Sequence, residues 1–323
     1  MTATPRKLFL AFIVVLLAIG AVLPGYVSPY HTRVVMGFFM FAGLASAWNI
    51  LGGFSGYWSF GHAAFFGMGA FGAAKISTAL GAAAGSPAAM ILPVAGATLI
   101  VAVFAALIAY PILRLRGIFF AIAMLGVSQV VTELVNNVSW IGGGVGVFMP
   151  SPVPAGTRPE VFYYYIFGAL LLLIILVTYA IRRSKIGYGL LAIREDEDTA
   201  KMLGVPTEHY KIASFVLSGV LVGILGAVYG YSLGYMSTGS VLRLDIGLNM
   251  IVFCIIGGIG TIWGPVLGTA IMLFITQVLL SGFLDIHLMI TGGIVVLMIL
   301  LMPSGVLGFF NAKRWIRFRE RAR

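Results

Sequence analysis

Residues 167–181 read FGALLLLIILVTYAI, and residues 182–211 follow without a break as RRSKIGYGLLAIREDEDTAKMLGVPTEHYK. The first stretch has no charged residue; the second packs eleven charged side chains into thirty positions. Crossing the hydrocarbon of a bilayer takes roughly 20 apolar residues, and ionisable groups are costly inside it. The chain therefore leaves the membrane at this junction, and residues 182–211 project into water.

Working outward, the rest of the chain has the character of the first stretch. Of 323 residues, 60% are hydrophobic and 9% charged, and the mean hydropathy is +1.06. Soluble domains are far more polar. A lipid-embedded backbone must satisfy its own hydrogen bonds, which leaves helix bundles or closed barrels. Barrel strands alternate apolar and polar residues, whereas runs such as LFLAFIVVLLAIGAVL (8–23) are apolar throughout. The expected fold is an all-α, polytopic transmembrane helix bundle of about ten spans, within a range of 8–10. The spans fall near 8–26, 33–51, 61–83, 90–111, 117–136, 162–181, 212–234, 246–262, 265–283 and 286–302. Arg6 and Lys7 before an apolar run resemble a signal peptide, but no small-residue cleavage site follows, so a retained first span is expected.

Ten spans with the N-terminus inside place sixteen of the 20 basic residues on the inner side. Arg33, Arg158 and Arg243 face outward and Lys75 lies within a helix, from which it can snorkel. The positive-inside rule favours this orientation: a multi-pass membrane protein with both termini and the loop 182–211 cytoplasmic. Residues 1–323 then form one transmembrane domain. The basic tail 311–323 is expected to meet anionic membrane lipids rather than nucleic acid. The external loop 137–161 is rich in Gly and Pro, low in charge, and expected to pack on the bundle.

Enzymatic chemistry has no constellation to rest on. The stretch GMGAFG (67–72) spells a dinucleotide fingerprint, but it lies in a helical run and not after a strand. Close helix packing through small residues explains it better. Gly219, Gly223, Gly226, Gly230 and Gly234 likewise fall on one helical face. The phosphate-cradling Gly-x-x-x-x-Gly-Lys-Ser/Thr loop and the His-Glu-x-x-His zinc motif are missing, and the four histidines are scattered. Cys254 is the single cysteine, so neither an intrachain disulfide nor a thiolate cluster is possible. No catalytic residue, metal ligand or cofactor-binding residue is expected in this chain.

Three features stand out against the apolar background. NILGGFSGYWSFGHAAFFG (49–67) sets Asn49, Ser55, Ser59 and His62 beside Trp58, with glycines that weaken a helix by about 1 kcal/mol each. Two readings stand: a broken helix meeting substrate in a watery cavity, or a tight turn whose polar groups cap helix ends. GGIGTIWG (257–264) repeats the spacing of Gly52, Gly53 and Trp58 with Gly257, Gly258 and Trp263, a hint of duplication. Glu133, near the outer end of the fifth span, is a candidate pathway residue. Asp245 and Asp285 are read as helix caps.

The charged stretch itself reads as a short surface helix. Its acids Glu195, Asp196, Glu197 and Asp198 suit a helix N-terminus; Glu197 and Lys201 are spaced for an i,i+4 pair; Gly204 and Pro206 stop it. Ala200, Met202 and Leu203 offer an apolar knob. Such an element is built for docking.

Four ordered motifs now carry a resemblance: NILGGFSGYWSFGHAAFFGMGAF (49–71), GIFFAIAMLGVSQVVTELV (117–135), GYGLLAIREDEDTAKMLGVP (187–206) and GGIGTIWGPVLG (257–268). Over residues 34–305 the chain resembles the permease of branched-chain amino acid ABC importers, the Liv-type membrane subunit. That resemblance implies coupling to an ATPase through Gly187, Arg194, Glu195, Asp196, Glu197, Ala200 and Gly204. It implies a second, related permease subunit, two ATP-binding cassette subunits that use the ATP, and a periplasmic substrate-binding protein. It also implies alternating access for branched-chain or related amino acids. Urea, short amides or aromatic carboxylates are alternative substrates within the same family. An ion-driven secondary transporter is the rival from another class.

Overall fold

The computed structural model describes residues 27–81, 85–142, 144–279, 292, 293, 296, 300 and 305–308. In chain order, α1 (Pro29–Ser55) and α2 (His62–Ala79) are followed by a 3-10 turn (Pro87–Met90), α3 (Ile91–Ile112), α4 (Ile118–Asn137) and α5 (Pro159–Arg182). The charged stretch then forms α6 (Lys185–Glu195) and α7 (Glu197–Met202). After it come α8 (Thr207–Leu233), the single-turn α9 (Thr238–Val241), α10 (Leu244–Gly257) and α11 (Gly264–Leu273). Proline opens α1, the 3-10 turn, α5 and α11, where its missing N–H breaks no hydrogen bond.

Six helices are long and apolar enough to cross a membrane: α1, the 3-10 turn with α3, α4, α5, α8, and the segment Thr238–Gly257. Helix α2 and the shorter apolar helix Gly264–Gln277 lie among them. The expected spans 8–26 and 286–302, the tail 311–323, Arg6, Lys7, Asp285 and His287 lie outside the described residues, apart from single positions near 292–300. The bundle is thus helical as expected, and six spans rather than ten meet the length and hydropathy test among the described residues.

Two expectations about boundaries are corrected. The eighth span ends at Gly257 and not at residue 262, because Gly258 (φ 124°) and Gly260 (φ 76°) turn the backbone out of the helix. Asp245 does not cap α10: Arg243 holds the cap position, and Asp245 sits in the first turn, paired with Arg243 at 2.8 Å.

The centre of the bundle is the seam between α2 and α8. A Cβ on Gly69 would fall 2.0 Å from the Gly223 carbonyl oxygen, and one on Gly226 would fall 1.9 Å from the Phe66 oxygen. The two backbones touch, so glycine is the only residue that fits. Gly234 does not join this seam; it ends α8 at φ 70°. Helices α1 and α3 flank the seam, α5 covers α1, and the α10–α11 hairpin packs against α1. Helix α4 buries only Phe120, Met124, Ser128, Val131 and Val135, one narrow stripe at helical spacing. Helix α3 also buries a single narrow stripe, but that stripe lies against both α2 and α8, whereas α4 rests mainly on α2.

Helix α6 and α7 lie at one end of the bundle, beside the C-terminal ends of α1, α3 and α5. The loop 138–158 lies at the other end and packs on the bundle as expected. Val147–Phe148 pair antiparallel with Tyr235–Met236, the Met149 N–H donates to the Gly234 carbonyl at 2.7 Å, and Val147 and Met149 are buried.

Candidate coupling face and the buried joint behind it

Helix α6 begins because Ser184 caps it, accepting from the Gly187 N–H at 3.3 Å. Gly187 is required by packing: a Cβ there would lie 2.1 Å from the Ile181 carbonyl oxygen. At Asp196 the chain extends (φ −160°), and its carboxylate accepts from the Thr199 N–H at 2.6 Å, starting α7. That bond, with the weaker pull of Arg116, holds the Asp196 carboxyl below its usual range. Gly204, at φ 83°, closes α7. The resulting corner exposes Met202 (86%) and Leu203 (77%) at its tip, while Ala200 is 2% exposed and faces inward. The apolar knob is therefore Met202 and Leu203 without Ala200.

Glu197 points inward as well. Its carboxylate accepts from Lys211 Nζ at 2.6 Å and from the Tyr57 hydroxyl at 2.5 Å, and Arg116 lies 3.6 Å away. Lys211 also donates to Tyr57 Oη at 3.0 Å and to the Leu113 carbonyl at 3.2 Å. Burial works against the Glu197 charge, but the Lys211 and Tyr57 hydrogen bonds outweigh it and leave the carboxyl below its usual range. Desolvation and the Glu197 hydrogen bond push the Tyr57 phenol far up, so it stays a proton donor. The expected pairing of Glu197 with Lys201 is corrected: Lys201 lies 4.0 Å from Glu208 instead. A lysine whose side chain is 5% exposed needs a counter-charge more than an exposed one does.

Two arginines extend the network. Arg116 grips Asp198 with both terminal nitrogens at 2.9 Å, which raises its own affinity for protons and lowers that of Asp198. Arg194 Nη1 donates to the Gly53 carbonyl at 2.8 Å. Thus α7 is tied to the α3–α4 junction, to the start of α8 and, through the end of α6, to the last turn of α1. Glu195 is exposed and has no such tie. Tyr57, Arg116 and Lys211 escaped the sequence reading. Their one signal was that each is a polar group beside the end of a long apolar run.

The residues of 49–67 divide. Asn49, Ser55, Ser59 and His62 are all buried. Asn49 bridges to the duplicate-like segment, donating to the Thr261 carbonyl at 2.8 Å and accepting from the Gly260 N–H at 2.9 Å. His62 lies between the hydroxyls of Ser59 (2.7 Å) and Ser218 (2.8 Å), and Ser218 donates to the Ala47 carbonyl at 2.7 Å. Ser55 donates to the Leu51 carbonyl at 2.7 Å. Trp58 is 42% exposed and lines a cavity of about 420 Å³ with Arg116, Arg194 and Glu197, beside α6 and α7. So the structure joins the two similar glycine-rich segments into one buried joint, sets Trp58 beside it, and keeps Glu133 apart on α4.

Glu133 lies opposite the buried stripe of α4, on the exposed side. Gln129, one turn before, donates to its carboxylate at 3.0 Å, and Asn137, one turn after, donates to its backbone carbonyl at 2.8 Å. A polar stripe this long does not face lipid chains comfortably.

A bundle of apolar helices with a rigid charged projection at one end is a multi-pass membrane protein of the permease class. The chain belongs to the branched-chain amino acid ABC transporter permease family: the family model described as "Branched-chain amino acid transport system / permease component" matches residues 30–302. It is similar to the high-affinity branched-chain amino acid transport system permease protein LivM of Escherichia coli, 26% identical, with 92% of this chain and 74% of the relative covered. It is 27% identical to LivH of Salmonella typhimurium over 53% of each chain, and to the autoinducer 2 import system permease protein LsrC of Yersinia pestis over 52% of this chain and 48% of the relative. No solved structure matches it.

Proposed function

We propose that the chain is one half of a permease pair that imports branched-chain or related amino acids, driven by separate ATPase subunits that dock on α7. The LivM and LivH relatives support the pair and the substrate class. The similarity to LsrC, named for an autoinducer 2 import system, supports keeping solutes other than branched-chain amino acids as the second reading. Loop 182–211 and both termini are assigned to the cytoplasm by the basic residues gathered there. The substrate-binding protein then meets the end formed by loop 138–158. ATP is bound and spent by the partners.

One observation carries the reading: an exposed apolar knob, Met202 and Leu203, stands on a helix fixed to the bundle by ion pairs to Arg116 and Lys211 and by the Tyr57 hydrogen bond. A partner pressing the knob moves Glu197 and Asp198. Arg116 follows, and Gly117, the residue before α4, holds φ 56° and serves as the hinge. Arg194 carries the same displacement to Gly53 and the buried joint. Helix α4, held on one stripe, is the element free to swing, and its face of Gln129, Glu133 and Asn137 is assigned to the solute pathway between the two permease subunits. Substrate alternates sides as that wall moves.

The test is co-purification of the ATPase with Met202→Glu/Leu203→Glu and, separately, Glu195→Lys/Asp196→Lys. Both variants are expected to keep the helical circular-dichroism signal while losing the ATPase and ATP-dependent uptake. Undiminished ATPase recovery in both variants overturns the docking assignment.

A further inference from the structure

A cavity of about 600 Å³ opens between α2, α3 and α4, towards the end of the bundle away from α7. Its walls are apolar, built from side chains such as Phe71, Phe104, Val130 and Leu134. The one charged group in the lining is Lys75, which makes no hydrogen bond or ion pair among the described residues. Lys75 lies four residues before Ala79, the end of α2, hence about 6 Å from that end at the helical rise. Trp140, 75% exposed, stands at the rim. Tryptophan and lysine at the end of a membrane helix mark the headgroup level.

An apolar cavity does not hold water, and this one is open on a flank where Ile100, Val130 and Leu134 are exposed. The material that surrounds such a flank is lipid. A hydrocarbon chain fits the walls, and an unpaired ammonium at headgroup depth fits a phosphate. We propose that the cavity is a binding site for one anionic phospholipid, with an acyl chain between α3 and α4 and the headgroup phosphate on Lys75 Nζ. The site is separate from the coupling face and does not depend on the transport reading.

The measurement is native mass spectrometry of the purified importer complex reconstituted with equal amounts of phosphatidylglycerol and phosphatidylcholine. The wild-type complex is expected to retain phosphatidylglycerol preferentially. Lys75→Gln lowers that preference about fivefold, the scale of one basic residue at an anionic surface, and Lys75→Arg preserves it. Val130→Trp, which fills the cavity and leaves the cation, displaces the lipid. Unchanged phosphatidylglycerol retention in both Lys75→Gln and Val130→Trp overturns the site. So does capture of the second permease subunit, in place of lipid, by a photo-crosslinker at residue 130. A thermal melt matching wild type for either variant excludes misfolding as the cause of a loss.

Discussion

Helices α8 and α4 are both long membrane-spanning helices, yet they are held in opposite ways. Helix α8 is locked: its glycines let the α2 backbone touch it, and it is buried on most sides. Helix α4 leans on one stripe, has an open cavity along its flank and turns a polar face away from the body. Dense packing is bistable at best and resists gradual deformation, whereas an element with few buried neighbours moves at low cost. The comparison separates a tightly packed frame from the helix that the proposed function takes as its movable wall, and the ion pairs around Glu197 and Arg116 connect the start of that helix to α7.

The frame is where substitution does most damage. Gly226→Leu drives a side chain into the Phe66 backbone and is expected to abolish accumulation of folded protein in the membrane, well beyond the 1–3 kcal/mol typical of overpacking. The check is size-exclusion chromatography of detergent extracts, and a monodisperse peak at wild-type yield would break the contrast. The same substitution at Gly126 of α4, whose Cβ position has nothing within 4 Å, is expected to leave the yield unchanged.

Next in size is the buried ion pair. Glu197→Ala leaves the Lys211 ammonium without its carboxylate and should cost about 3 kcal/mol or more. Glu197→Gln/Lys211→Met removes both charges and is expected to recover most of that loss in a thermal melt. A double variant no more stable than Glu197→Ala would show that Lys211 does not depend on this partner.

The smallest effect is on pH. The Glu197 and Asp198 carboxyls are held below their usual values of 4.5 and 3.8. A depressed folded pKa contributes stability that is complete above the unfolded value and is lost as pH falls through the folded one. Melting temperature is therefore expected to lose the share contributed by these two carboxylates only below about pH 4.5, and the fall should be absent in Glu197→Gln/Asp198→Asn. An equal fall in that variant would place the sensitive carboxyls elsewhere.

Much of this was legible in the sequence, and the reasons are physical. Apolar length alone separates spans from the stretch 182–211, because hydrocarbon penalises every charge. The surface helix could be read from Asp196, Gly204 and Pro206, whose cap and stop roles are local. The glycines at 219, 223 and 226 announced a close seam by spacing. Inward from there, sequence fell short. Nothing local says that Glu197 turns towards Lys211 rather than Lys201, because the choice is made by which lysine is buried. Nor does local sequence join Asn49 to Gly260, more than two hundred residues away. Trp58 and His62, neighbours in one motif, part company because the turn at residues 56–61 sends one outward and seals the other in the core.

The link between the two regions is tested most directly by a charge-reversal cycle across Arg116 and Asp198, read as ATP-driven uptake into vesicles containing the complete importer. Arg116→Asp and Asp198→Arg should each cut uptake about tenfold or more, the equivalent of ~1.4 kcal/mol in the driven step, with ATPase association intact. The double variant Arg116→Asp/Asp198→Arg should restore most of it. Full uptake in both single variants, or a double variant as impaired as either, would contradict transmission from α7 to α4 through this pair.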